Sequence, residues 1–203
     1  MVLTTQVAKL TFKPKGELMK YAIATFVVLF CAVCHCETAA EMENLAKTVC
    51  HATWAKDSQE RAKMQAALEK IRPGIPSGYK VLYIAVDDPT AITASTHVNA
   101  LGQRQSVTCM PIGYIDFESK EGEIEFTLAH ETGHAVDEPC YGHNHQSQQL
   151  TCERRADDIA FAILQKAGID PKVAVSLFKK KHEPDRIKNF EAWKKFHPHP
   201  QPA

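Results

Sequence analysis

Apolar and polar positions follow two different periods along this chain. Between Ala39 and Arg72, Met42, Leu45, Ala46, Val49 and Cys50 recur at three- and four-residue spacing, which predicts helix. The stretch RPGIPSG, from Arg72, then breaks the pattern with two prolines and two glycines. YKVLYIAV, Tyr79 to Val86, is short and rich in β-branched and aromatic residues, so it predicts a strand. DDP turns the chain, and Ile92 to Ile115 carries the short apolar pieces SVTCM and IGYIDF, which predict two or three further strands. Helical spacing returns in three later segments. One contains FTLAHETGHAVDEPC, from Phe126; one runs from Cys152 to Ala167 and stops at Gly168; one starts at Pro171, where Asp170 can cap. Alternating prolines exclude regular helix from the tail FHPHPQPA. Helix, small sheet, then helices is an α+β pattern.

The N-terminus changes the picture of where the chain resides. From Met19 it reads MKYAIATFVVLFCAVCHCETAAEM: a positive Lys20, an apolar run from Tyr21 to Val33, then small residues. This is the layout of a secretory signal peptide, and the run is shorter than the roughly 20 residues a membrane-spanning helix needs. The expectation is a leader region over residues 1–38, a signal starting at Met19, and one domain over residues 39–203, secreted or periplasmic. Cleavage after Cys36, Ala39 or Ala40 is compatible with the sequence. Membrane association then requires that the N-terminal segment stay uncleaved. The 203 residues and 44% apolar content suit a single core. Lys plus Arg equal Asp plus Glu at 24 each, so no basic face calls for nucleic acid.

Cysteine usage agrees with export. Of seven, Cys31, Cys34 and Cys36 lie in or beside the leader, leaving Cys50, Cys109, Cys140 and Cys152. Four cysteines in an exported domain predict two disulfides with three possible connectivities. Cys140 and Cys152 bracket one loop and are the first choice for a pair, with buried free thiols as the plainer alternative.

The chemistry concentrates in HETGH. Residues four apart share a helix face, so His130 and His134 can aim both imidazoles at one ion. Glu131, about 100° round the helix from His130, sits beside such an ion and can take a proton from the attacking water, the H-E-x-x-H logic. Leu128, Ala129, Ala135 and Val136 make the helix at least half buried, where unpaired polar groups cost several kcal/mol. A hydrolytic zinc takes three protein ligands and keeps a fourth position for water. Ala156, Ile159, Ala160, Ile163, Leu164 and Ala167 form an apolar stripe, and Glu153 and Asp157 lie in line with it. Acidic residues also suit a helix N-terminus. The sharper reading makes Glu153 the third ligand and Asp157 the acceptor that fixes a ligand histidine's tautomer. Arg154 and Arg155 are expected to face outward or pair locally.

HETGH followed by ERRAD and a helix ending AGIDP resembles the HtpX/CAAX-prenyl-protease family of gluzincin zinc metallopeptidases, in particular its small exported members. VNAL from Val98, IGYIDF and the late FHPHP are similar to that family's motifs as well. The resemblance spans about Val98 to Pro198. It implies a zincin-like fold, with a small, mainly antiparallel sheet packed on the HExxH helix and further helices. It also implies one Zn2+ per chain on His130, His134 and Glu153, with Glu131 as base. His197, in the late His-Pro motif, becomes the oxyanion donor, with His199, Tyr141, His143 and His145 in competition. A plainer reading makes the tail a disordered proline-rich segment and YGHNHQSQQ a solvated polar loop. An extended peptide could add to the sheet edge near Asn99. The gap from His134 to Glu153 is short for the family, and the larger members' membrane helices are missing. The expected function is an exported zinc metalloendopeptidase acting on protein or peptide substrates. The alternatives are a non-catalytic zinc-binding interaction module and a cytosolic regulatory protease of the ImmA/IrrE type.

Overall fold

The computed structural model describes residues 38–87, 93–98, 104–118, 120–137, 140 and 146–197. The expected signal segment, Asn99, Tyr141, His143, His145, His199 and the proline tail lie outside these residues. The chain is α+β and mostly helical, built from α1 (Ala39–Thr48), α2 (Gln59–Ile71), β1 (Tyr79–Val86), β2 (Thr93–Val98), β3 (Arg104–Pro111), α3 (Ile112–Phe117), α4 (Glu123–Val136), α5 (Gln146–Lys166), α6 (Val173–Lys180) and α7 (Pro184–Phe196). Among the described residues no helix is long and apolar enough to cross a membrane.

The sheet is mixed, not mainly antiparallel. Its order is β1-β3-β2. β1 and β3 run parallel, from Tyr79↔Arg104 to Val86↔Pro111. β2 runs antiparallel to β3, from Thr93↔Cys109 to Val98↔Arg104. The parallel pair follows from burial on both faces, which favours continuous apolar runs over alternation. Tyr83, Ala85 and Met110 join the larger core under the helices, whereas Leu82, Ile84, Val86, Val107 and Cys109 join a second core with Ala46 and Trp54. YKVLYIAV lacks the polar alternation of a strand with one wet face.

The first predicted helix is two. Between α1 and α2 the chain passes through a left-handed His51, φ 51°. Trp54 then forms an antiparallel bridge with Val86. Ala55 N–H donates to Ala85 O at 3.0 Å and Asp87 N–H to Thr53 O at 3.0 Å, so this segment covers part of the outer edge of β1. Ser58 restarts the helix by accepting from Arg61 N–H at 3.0 Å. A disulfide from Cys50 to Cys109 fastens the same segment to β3.

Two further differences lie nearer the site. IGYIDF is α3, not a strand: Ile112 and Ile115 are three apart and both pack on the larger core, which helix allows and alternation does not. The last predicted helix is split into α6 and α7. Asp170 caps as expected, accepting from Lys172 N–H at 2.9 Å, but regular helix begins at Val173. α5 starts at Gln146, six residues before Cys152, and ends as expected before Gly168, whose φ of 76° suits the left-handed stop.

Candidate metal centre

α4 and α5 carry the site, and a glycine sets how closely they cross. A Cβ placed on Gly133 would lie 2.6 Å from Ala156 O, so only glycine at this position of HETGH admits the neighbouring backbone. Behind the crossing, Phe126 stacks with Phe161 at 5.8 Å and meets Phe178 edge-on at 5.2 Å. This aromatic floor fixes the helix faces that turn polar groups toward one another.

His130, His134 and Glu153 are brought together as the sequence predicts. His130 Nε2 and His134 Nε2 are 3.1 Å apart. Glu153 lies 3.2 Å from the first through Oε2 and 3.5 Å from the second through Oε1. The three can offer ligand atoms that all lie within 4.8 Å of one another, and this group could hold a metal ion. The donor set fits that purpose. Bonds of about 2.0–2.1 Å in a tetrahedron put neighbouring ligand atoms roughly 3.3 Å apart, close to the separation of the two imidazole nitrogens and of each from its nearer carboxylate oxygen. Two imidazole nitrogens facing each other across 3.1 Å require a shared proton or a shared cation.

Asp157 orients His130. Its Oδ1 lies 2.9 Å from His130 Nδ1, and its side chain is fully buried. With Nδ1–H donating to Asp157, the Nε2 lone pair is left for the ion. The sequence reading missed the next link, Arg186 on α7. Its guanidinium grips Asp157 with two donors, Nε to Oδ2 at 2.8 Å and Nη2 to Oδ1. It also packs over the Phe178 ring at 4.4 Å and bonds Glu183 at 3.0 Å. Nη2 approaches His130 Nδ1 to 3.3 Å, so two donors share one carboxylate oxygen. The signal was present: Arg186 lies four and seven residues before the buried Phe190 and Trp193, a charge in line with an apolar stripe.

We expect Arg186→Met to leave the Asp157 charge buried and half-satisfied. Stability should fall by about 3 kcal/mol and metal affinity by roughly 10–100-fold, with Arg186→Lys recovering part of the affinity. Thermal denaturation and chelator competition on the two variants measure this.

The electrostatics follow from these contacts. Burial works against a charged His130, yet its bonds to Asp157 and Glu153 outweigh that and hold its pKa at about 9, against an ordinary 6.5. Bonds from His130 and then His134 hold the Glu153 carboxyl well below its usual range. Asp157 is pushed up by burial, but His130 and Arg186 hold it below its ordinary value. In the metal-free protein the raised His130 value therefore gives stability that is complete below pH 6.5 and lost as pH climbs through about 9. We expect the metal-free Tm to fall by about 5 °C between pH 7 and 9.5, since about 2 kcal/mol is involved in a chain of this size. Calorimetry on metal-free protein checks it, and metal-loaded protein should lack this loss because its imidazoles are already deprotonated.

Glu131 is half-buried on α4, and its negative charge acts on both His130 and the Tyr83 phenol. His197 caps the end of α7, where its Nδ1 lies 3.1 Å from Trp193 O and its ring stacks on Trp193 at 4.6 Å. The structure does not bring His197 into the ligand group. Arg155 pairs locally, through Nε at 2.6 Å and Nη2 at 2.5 Å, with Asp137 at the end of α4. Cys140 and Cys152 form the second disulfide, the pair favoured from the sequence, with Cα atoms 5.4 Å apart. Two disulfides suit an oxidising compartment.

Compared with protein-family models and with curated proteins, the chain has no match. The resemblance to the HtpX/CAAX-prenyl-protease family therefore rests on the motifs quoted above, and the chemistry rests on the site.

Proposed function

We propose that this protein is an exported zinc metalloendopeptidase, zincin-like in how a small sheet backs an HExxH helix. One observation carries the reading. Two imidazole nitrogens of α4 lie 3.1 Å apart, the two oxygens of one α5 carboxylate lie 3.2 and 3.5 Å from them, and Glu131 directly follows the first of these histidines. Three protein ligands leave a position open for solvent, which suits hydrolysis rather than a closed structural site. The carboxylate supports Zn2+ over the soft ions that thiolates select.

A bound Zn2+ would polarise the scissile carbonyl and make the attacking water acidic enough to react at neutral pH. Glu131 then takes the water's proton and delivers it to the leaving amine. Asp157 and Arg186 keep His130 in the tautomer that ligates. An extended peptide would pair with β2, which among the described residues bonds only to β3. His197 stays the candidate oxyanion donor only if substrate binding draws it from Trp193. The disulfides favour this reading over the cytosolic regulatory protease.

The test is metal analysis combined with turnover. Purified protein should carry one zinc per chain and hydrolyse casein. A chelator should abolish that activity and added zinc restore it. Hydrolysis that survives complete metal removal would refute the reading.

A further inference from the structure

The ligand Glu153 sits on a turn of α5 whose described side chains bury no large apolar group. Among the described side chains of that helix, Leu150, Thr151, Arg154 and Arg155 are exposed, Cys152 and Glu153 are half-buried, and the first buried one is Ala156. The close crossing with α4 is made at Ala156, one turn after Glu153. The turn that carries Glu153 is joined to the end of the HExxH helix by two links that flank it in sequence. One is the Cys140–Cys152 bridge; the other is the Arg155–Asp137 ion pair, on an arginine side chain about half exposed. Cys140 is itself tied to the end of α4, its N–H donating to Asp137 O at 3.0 Å. The ion pair is bidentate on a buried Asp137 but is reversible and leaves its arginine half exposed, whereas the covalent clip removes the freedom of the connecting chain.

We propose that the Cys140–Cys152 disulfide is a redox latch on the metal centre, so that the site is complete only in an oxidising environment. This rests on the metal-site reading above and adds its regulation. Opening the latch needs a dithiol reductant. One of its thiolates attacks the bridge and its second thiol closes on the first, so two electrons and two protons pass to Cys140 and Cys152 and the dithiol leaves as its own disulfide. Without that tether the first two turns of α5, residues 146–153, are no longer clipped to the end of α4 and shift or unwind from their N-terminal end. Glu153 leaves the imidazole pair, and the site is reduced to two histidines. A chain still in a reducing compartment would thus lack hydrolytic capacity and gain it on export, which protects the cell that makes it.

The experiment compares wild type with Cys140→Ser/Cys152→Ser, which keeps the Cys50–Cys109 bridge. Zinc affinity is read by competition with a chromogenic chelator. The double variant should bind at least tenfold more weakly while keeping a cooperative thermal transition. Affinity within twofold of wild type would overturn the latch. If the double variant fails to fold, zinc-loaded wild type is treated with increasing phosphine, and the opened bridges are assigned by alkylation and peptide mapping. Zinc loss should follow the opening of Cys140–Cys152. Loss that follows Cys50–Cys109, or no loss with Cys140–Cys152 open, would overturn it. Oxidised wild type that binds no zinc would overturn the metal-site reading itself, and the latch with it.

Discussion

Replacing Glu153 with alanine is expected to strip the protein of metal while leaving it folded. The carboxylate contributes nothing to the buried core: about a third of its side chain is exposed, and its partners are the two imidazoles. Removing it costs the site one of three protein ligands and its only negative charge among them. The loss should exceed the roughly 10–100-fold that follows when a supporting residue is removed, so we expect at least about 1,000-fold weaker zinc binding. His134→Ala should do the same, because His134 is the more exposed histidine and, among the described residues, no buried carboxylate stands behind it as Asp157 does behind His130. His130→Ala is a poorer probe, since it also takes from the buried Asp157 its imidazole donor. Folding of the two informative variants is checked by thermal denaturation in chelator, where Glu153→Ala should keep a cooperative transition, lowered at neutral pH by its share of the His130 stabilisation. A Glu153→Ala protein that still carries one zinc per chain would remove this glutamate from the site.

Most of the ligand group was legible because each member breaks the pattern around it. His130 and His134 interrupt a buried helix face at a spacing of four, and Glu153 and Asp157 extend an apolar stripe that acids should not enter. Arg186 obeys the same logic against Phe190 and Trp193, but that stripe shows only once the helix from Pro171 is divided, because α6 and α7 bury different faces. Gly133 was legible only in retrospect: its role depends on Ala156 of another helix, a contact that no local period records. The fold was read less well where tertiary contacts override local preference. Residues 49–58 have no proline, yet the chain leaves the helix there to reach β1 and to bring Cys50 to Cys109. IGYIDF favours a strand by composition, but the buried Ile115 and the half-buried Ile112 lie three apart, and only helix puts both on the core. The direction of the strands depends on which neighbour each meets, and β3 enters between β1 and β2 instead of following them.

Replacing Glu131 with glutamine should separate the chemistry from the metal. The substitution keeps the size and much of the hydrogen-bonding capacity of the side chain, and the residue is not part of the ligand triangle, so zinc stoichiometry should stay at one per chain. The amide cannot accept the water's proton at neutral pH. Positioned acid–base catalysis contributes about 100–10,000-fold, and Glu131 would serve twice, taking the proton and giving it to the leaving amine. We therefore expect kcat on a peptide substrate to fall by about 1,000-fold or more with KM changed little, the signature of an interaction made mainly in the transition state. Glu131→Asp should recover part of the rate, because a carboxylate remains but is set back by one methylene. The outcomes divide the readings of this site. Loss of activity with zinc retained assigns the base. Loss of both means that Glu131 helps to hold the ion. Full activity in Glu131→Gln would require another base near His130, and Glu153 would be the first to examine, since its carboxylate lies beside both imidazoles while Asp157 is held behind His130 by Arg186.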